Sequence, residues 1–275
     1  MSGKFSRGLA IASDSLDLFR ANPRLAVLPL CSLLFVGSGF AVAAGIALHF
    51  GLVASVLTND LLTYAAIFVW FALTSSLGTF FNAAVAHCAF QHFDGDSPTV
   101  RDGLRAAWDA RRAIAVWAVT AATLGTVLYI LDEKFGVLGS AARFAFDLGW
   151  ALLTFFVVPV IVTEDTADIR DILRESGTTF KETWGESITV TFGIGLATFP
   201  FVLVGVACLA IAYTSRPALG AWLFGAAGFV LVVGSIVTSQ VLGMIARSAL
   251  YEYATEGRCV GPFTERDPTE VMGDS

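Results

Sequence analysis

His87, Cys88, His92, Asp94 and Asp96 are the densest gathering of potential metal ligands in the chain. A zinc site needs its donors to converge on one point. On a helix Cys88 and His92, four apart, share a face, but His87 and His92, five apart, point to different faces. No helical two-histidine site forms, and the group is expected to be interfacial side chains with ordinary partners. A hydrolytic triad fares no better. It needs a histidine between nucleophile and acid, and His49, His87 and His92 are the only three. His49 closes a long apolar run and is expected on the far side of whatever that run crosses. The carboxylates Glu164, Asp165, Asp168 and Asp171 precede a helical pattern, where they complement the helix dipole without catalysis. Cys31, Cys88, Cys208 and Cys259 show no C-x-x-C spacing, so neither a disulfide framework nor a metal knuckle is expected. No catalytic residue, metal or cofactor is assigned, and the chain is read as non-enzymatic.

A second polar group lies inside apolar runs: Ser75, Thr79 and Asn82 in one, Ser235, Ser239 and Gln240 in another. An amide turned toward hydrocarbon is left unpaired at a cost on the order of several kcal/mol. These six side chains are therefore expected to face a helix-bundle interior, and the two runs to approach one another there. The result would be a hydrogen-bonded packing seam or the lining of a small polar cavity.

The elements that must position these groups are set by composition. Of 275 residues 56% are hydrophobic and 15% charged, where a soluble domain is about a quarter charged. Apolar runs of membrane length fall at Leu25–His49, Leu61–Ala89, Ala113–Leu131, Phe144–Val162, Ile188–Tyr213 and Ala218–Ala246. Six spans of about 20 residues use roughly 120 residues, and interfacial and loop segments take most of the rest. The fold class is thus all-α, a polytopic transmembrane bundle, and the bilayer is its main partner. The first run is longer than the roughly 7–15 apolar residues of a signal peptide and is read as a retained span. In the fourth, Arg143 and Asp147 are spaced to pair at the membrane edge, with the arginine snorkelling to water. Gly37, Ala41 and Gly45 in the first run, and Gly193 and Ala197 in the fifth, have the spacing that lets helix backbones approach closely.

All of the 17 basic residues except Lys134, Arg143 and Arg216 fall in the N-terminal segment, the second and fourth connections, or the C-terminal segment. The positive-inside rule then puts both termini in the cytoplasm of a cell-membrane protein. A net charge of −6 with no basic domain gives no grounds for nucleic-acid binding.

Three of the cytoplasmic segments have an apolar stripe at helical period and are too short and charged to span. They are Phe5, Leu9, Ala12, Leu16 and Phe19; Val100, Leu104, Ala107 and Trp108, after a Ser97-Pro98 start; and Ile169, Ile172, Leu173, Ser176 and Phe180, ended by Trp184-Gly185. Each precedes an outgoing and a returning span, which gives three repeats, 5–95, 97–163 and 164–257, within a single domain over 1–257. Duplication produces such a pattern, and so does any recurrence of amphipathic-then-apolar segments. Residues 258–275, acidic and with Pro262 and Pro268, are expected to be a disordered tail.

Four stretches carry a resemblance: Phe81-Asn82-Ala83-Ala84-Val85-Ala86-His87-Cys88-Ala89, the segment Asp94 to Leu104, Phe155-Phe156-Val157-Val158-Pro159-Val160, and Phe180-Lys181-Glu182-Thr183-Trp184-Gly185-Glu186. Together they resemble an uncharacterised family of six-span prokaryotic membrane proteins. They are also distantly similar to the membrane domain of some glycerophosphodiester phosphodiesterases. The resemblance implies a fold and brings no activity, because the hydrolase part of those enzymes is a separate barrel with no counterpart here. The sequence thus points to a membrane protein of unknown molecular function. The alternative is a small-molecule or ion transporter or channel, on the strength of the repeat and the polar residues in the second and sixth spans.

Overall fold

Six helical stretches long and apolar enough to cross a membrane stand where the sequence places them. They are Pro23–His49, Asp60–Phe93, Arg111–Lys134, Phe146–Thr163, Trp184–Thr214 and Leu219–Glu256. The structure is a computed structural model that describes residues 19–20, 23–164, 166–214 and 218–257, among which there is no β-strand. The first amphipathic segment, apart from Phe19 and Arg20, and the expected tail 258–275 lie outside the described residues. The helices are α1 (Val27–His49, after a 3-10 turn over Pro23–Ala26), α2 (Leu52–Thr58), α3 (Asp60–Phe93), α4 (Val100–Asp109), α5 (Arg111–Leu153), α6 (Val157–Thr163), α7 (Ile169–Glu182), α8 (Trp184–Thr214) and α9 (Ala218–Glu256).

Side-chain size is distributed inside out relative to a soluble protein. Leu34, Phe40, Leu48, Phe192, Leu196, Phe229 and Val230 are exposed, while Ala83, Ala84, Ala86, Ala89, Ala107 and Ala122 are buried. Lipid tails are as apolar as leucine, so hiding a large side chain from them gains little, whereas small residues let backbones pack closely.

The chain divides into two compact units, Val27–Glu182 and Met1–Ala26 with Thr183–Ser275. Their boundary at Thr183 falls inside the third expected repeat, 164–257, so contacts group the elements differently from the sequence pattern.

In the unit Val27–Glu182, α3 is the hub, packing against α1, α2, α4, α5 and α6. The continuous helix α5 carries both the third span and the start of the fourth, and it doubles back on itself. Trp117 and Trp150 stack with ring centroids 5.7 Å apart, although a straight helix would separate them by about 50 Å. Near the reversal Arg143 joins the two arms, with Nη1 3.2 Å from Asp132 Oδ2 and Nε 3.5 Å from Asp147 Oδ2. Gly136 and Gly139 lie between them in sequence. The fourth span is broken between α5 and α6. Pro159 supplies no N–H and crowds the carbonyl four residues earlier, at Phe155, so the helix cannot run through. Placed in the first turn of α6 it is tolerated, because N–H groups there have no intrahelical partner.

In the other unit α8 and α9 form an antiparallel pair that crosses at Gly205 and Gly228. A methyl group built on Gly228 would lie 2.7 Å from the Gly205 carbonyl oxygen and 2.9 Å from the Leu209 amide nitrogen. The expected close-packing residues Gly37 and Gly45 have open space around them instead. Spacing by four identifies glycines that could admit a neighbour, and the crossing point decides which ones do. Gly228→Ala is expected to force the pair apart and lower stability by about 1–3 kcal/mol. Gly37→Ala is expected to be neutral or slightly stabilising, and the midpoint of thermal unfolding in detergent distinguishes the two outcomes.

Candidate functional site

The six polar residues expected at a seam are divided between the two units, with Ser75, Thr79 and Asn82 on α3 and Ser235, Ser239 and Gln240 on α9. Thr79 and Ser235 are buried, at 6% and 8% exposure. Ser75, Asn82 and Ser239 are half-buried, and Gln240 is exposed. Ser235 Oγ donates to its own helix, at the Leu231 carbonyl 2.7 Å away. That bond satisfies the hydroxyl locally, which is why a serine in a span need not mark a contact between helices.

The cysteine and histidine cluster has a different use. Helix α3 ends at Gly95, whose φ of 90° is open to glycine. Gly95 N–H bonds the His92 carbonyl (3.0 Å) and Asp96 N–H the Gln91 carbonyl (2.9 Å), the two bonds of a Schellman cap. The chain then turns back into α4, whose cap is Thr99 rather than the expected Ser97. Asp102 N–H bonds Thr99 Oγ1 at 3.3 Å, while Thr99 N–H donates to Asp102 Oδ2 at 3.1 Å, closing a capping box. A serine at 97 has no acidic partner three residues on, and reciprocal bonding selects Thr99.

The capped helix lies against α3 through small residues. Gly103 and Ala107 are buried, whereas Trp108, expected in the apolar stripe, is 62% exposed. Beneath Gly103 sit the Ala84 carbonyl and Cys88 Sγ, and the thiol donates to the Thr99 carbonyl at 3.6 Å. Cys88 is therefore part of the floor on which α4 rests. Among the described residues no three His, Cys, Asp or Glu side chains are grouped so as to hold a metal ion.

The Thr99 hydroxyl, with help from its amide, holds the Asp102 carboxyl below the usual carboxylate range. A carboxylate whose pKa is lower in the folded chain adds stability that is complete above its unfolded value, about 4. That stability is lost as the pH falls through the folded value. The first turn of α4 is accordingly expected to exchange its amide hydrogens faster relative to the rest of the helix on acidification below about pH 4. Asp102→Asn should remove that dependence, as hydrogen–deuterium exchange over residues 100–104 would report.

The third amphipathic segment, α7, is fastened by one hydroxyl. In α7, Ile172, Ser176, Thr179 and Phe180 are buried, close to the expected stripe, while Ile169 and Leu173 are half-buried. Ser176 Oγ donates to the Leu153 carbonyl (2.7 Å) and accepts from the Phe156 N–H (3.0 Å). These groups flank the break in the fourth span, so a side chain from α7 replaces backbone bonds that the broken helix lacks. Sequence reasoning placed Ser176 on the right face and missed its role. The available signal was a hydroxyl in an apolar stripe together with a proline in a span. Trp184 and Gly185 do not end this helix. They open α8, whose first bond runs from Ser187 N–H to the Thr183 carbonyl at 2.8 Å.

Three charged residues were given no site role in the sequence. Glu186 in the first turn of α8 and Glu252 near the end of α9 are buried. Counting equally from the Gly205–Gly228 crossing brings Glu186 level with Arg247.

A model of a family of unknown function, DUF6159, matches residues 61–261. No curated protein and no solved structure matches the chain. The seat of α4 on α3, the Ser176 fastening and the Gly205–Gly228 crossing all lie inside the matched residues, and the chain belongs to this family of unknown function, DUF6159.

Proposed function

We propose that the protein is a non-catalytic component of a prokaryotic cell membrane, with both termini in the cytoplasm, that works by holding interfacial helices at the lipid surface. The observation that carries this reading is the fixing of α4 and α7 to the apolar helices. One is seated through Gly103 on the Ala84 backbone, and the other is tied through Ser176 to the break in the fourth span. Amphipathic helices so attached have a set depth.

Orientation is tested by cysteine labelling in intact cells. Residues near Asn59, Glu133 and Arg216 are expected to react with an impermeant reagent, and those near Ser97, Asp168 and Ser275 to be protected. Labelling at Ser275 overturns the placement of the termini. The role itself is tested in proteoliposomes, where no ion or solute flux above protein-free vesicles is expected.

Flux would favour the second reading, a transporter or channel. Burial of Thr79 and Ser235, polar residues inside apolar helices, supports that reading. On it, Asn82→Leu abolishes flux while leaving the folded amount unchanged.

A further inference from the structure

The buried face of α4 is made by Gly103 and Ala107. On the outward side Arg101, Arg105 and Trp108, at steps of four and three, share one helix face, and all three are exposed. The turn into α5 adds Arg111 and Arg112, also exposed. Arg111 Cζ lies 5.7 Å from the Trp108 ring centroid and its Nη1 donates to the Trp108 carbonyl at 3.1 Å, which fixes the guanidinium against the indole. Among the described residues none of these four arginines is in an ion pair. The acidic residues of α4 are Asp102, engaged by Thr99 in the capping box, and Asp109. The buried, apolar part of α5 begins at Ala113 and Ile114, directly after Arg112. Arg111 and Arg112 therefore lie within a turn of the point where the apolar span begins, and Arg105 and Arg101 precede them by about two and three helical turns.

We propose that this outward face of α4 and its turn into α5 docks on the headgroups of anionic phospholipids, with Arg101, Arg105, Arg111 and Arg112 taking phosphodiester oxygens and Trp108 set at headgroup depth. The inference rests on the reading above that the interfacial helices work at the lipid surface. Guanidinium groups pair with phosphate oxygens in a fork geometry, and tryptophan is enriched at membrane–water interfaces. A soluble acidic partner would satisfy the charges but gives no reason for an exposed indole at the start of a span. Helix α7 provides the internal comparison. Its Arg170, Arg174 and Lys181 are balanced by Asp171, Glu175 and Glu182, so it has no such bias.

The test uses the full chain in mild detergent, with binding measured for phosphatidylglycerol, phosphatidylcholine, inorganic phosphate and a polyglutamate peptide. The wild type is expected to prefer phosphatidylglycerol. A basic residue near an anionic surface contributes about fivefold in affinity before screening. The triple variant Arg101→Gln, Arg105→Gln, Arg112→Gln should therefore lose on the order of tenfold or more for phosphatidylglycerol. Arg170→Gln with Arg174→Gln should change little, and lysine in place of Arg101, Arg105 and Arg112 should restore most of the affinity. Should the triple variant fail to elute as a single folded species, the single reversal Arg105→Glu carries the same test, with about a tenfold loss expected. No preference for phosphatidylglycerol in the wild type, an unaffected glutamine variant, or tighter binding of polyglutamate or inorganic phosphate overturns the proposal. The flux assay separates the two readings: loss of the lipid preference without flux removes this inference alone, whereas flux replaces the reading above with a transporter or channel.

Discussion

Replacing Gly103 by leucine is expected to unseat α4 from α3. Even the first added carbon would lie 2.5 Å from the Ala84 carbonyl oxygen and 2.8 Å from Cys88 Sγ. The nearer atom is backbone in the middle of a long helix and cannot swing aside, so α4 must move. Gly103→Ala is expected to cost about 1–3 kcal/mol, the range for overpacking a filled site, even though alanine is by itself the better helix former by roughly 1 kcal/mol. Gly103→Leu should exceed that and free the helix, with faster amide exchange throughout residues 100–109. The control is Gly78→Ala on α3, where the added carbon meets nothing within 4 Å and propensity alone acts, to slightly stabilising effect. Equal unfolding midpoints for Gly103→Ala and Gly78→Ala would mean that α4 is not seated as described.

Removing the Ser176 hydroxyl should be as damaging as any other single deletion of comparable size. Ser176→Ala takes away one donor and one acceptor, leaving the Leu153 carbonyl and the Phe156 N–H without that partner. An unsatisfied buried polar group costs about 1–3 kcal/mol, so a loss of roughly 2–6 kcal/mol is expected for the two. Thr178→Ala on the same helix is the comparison. Its hydroxyl bonds only to its own helix, at the Arg174 carbonyl, and it is exposed, so it should change stability by no more than about 0.5 kcal/mol. Coupling identifies the cause. With Pro159→Leu the span can continue through the break and supply its own backbone partners, and Ser176→Ala should then cost less than it does alone. Additive effects in that double-mutant cycle would show that the hydroxyl does not serve the break.

The same two places show where reading along the chain stops being informative. Periodicity located α4 and α7 as amphipathic helices to within a few residues. It assigned Trp108 to the apolar stripe because stripe counting scores large side chains and passes over glycine. The helix instead rests on Gly103 and Ala107 and turns its tryptophan outward. Next to a membrane a large apolar group has a second good environment, so its size does not predict burial. The break at Pro159 was not read from the sequence, where the fourth span is one run, and the hydroxyl that repairs it comes from another helix, twenty residues beyond Phe156. The doubling back of α5 was legible as two apolar runs and appears as one continuous helix whose arms are joined by Arg143.

The number, order and approximate limits of the six apolar spans, the amphipathic helices α4 and α7 and the Arg143–Asp147 pair were legible in the sequence alone. The reason is that bilayer thickness, helical period and the spacing of a helix turn act on residues close together in the chain. Tertiary structure decided which glycines admit a neighbouring backbone, which face of α4 is covered and what satisfies the broken span. Each of these depends on atoms brought together from distant positions, and a span in lipid has no hydrophobic preference that would fix its facing in advance.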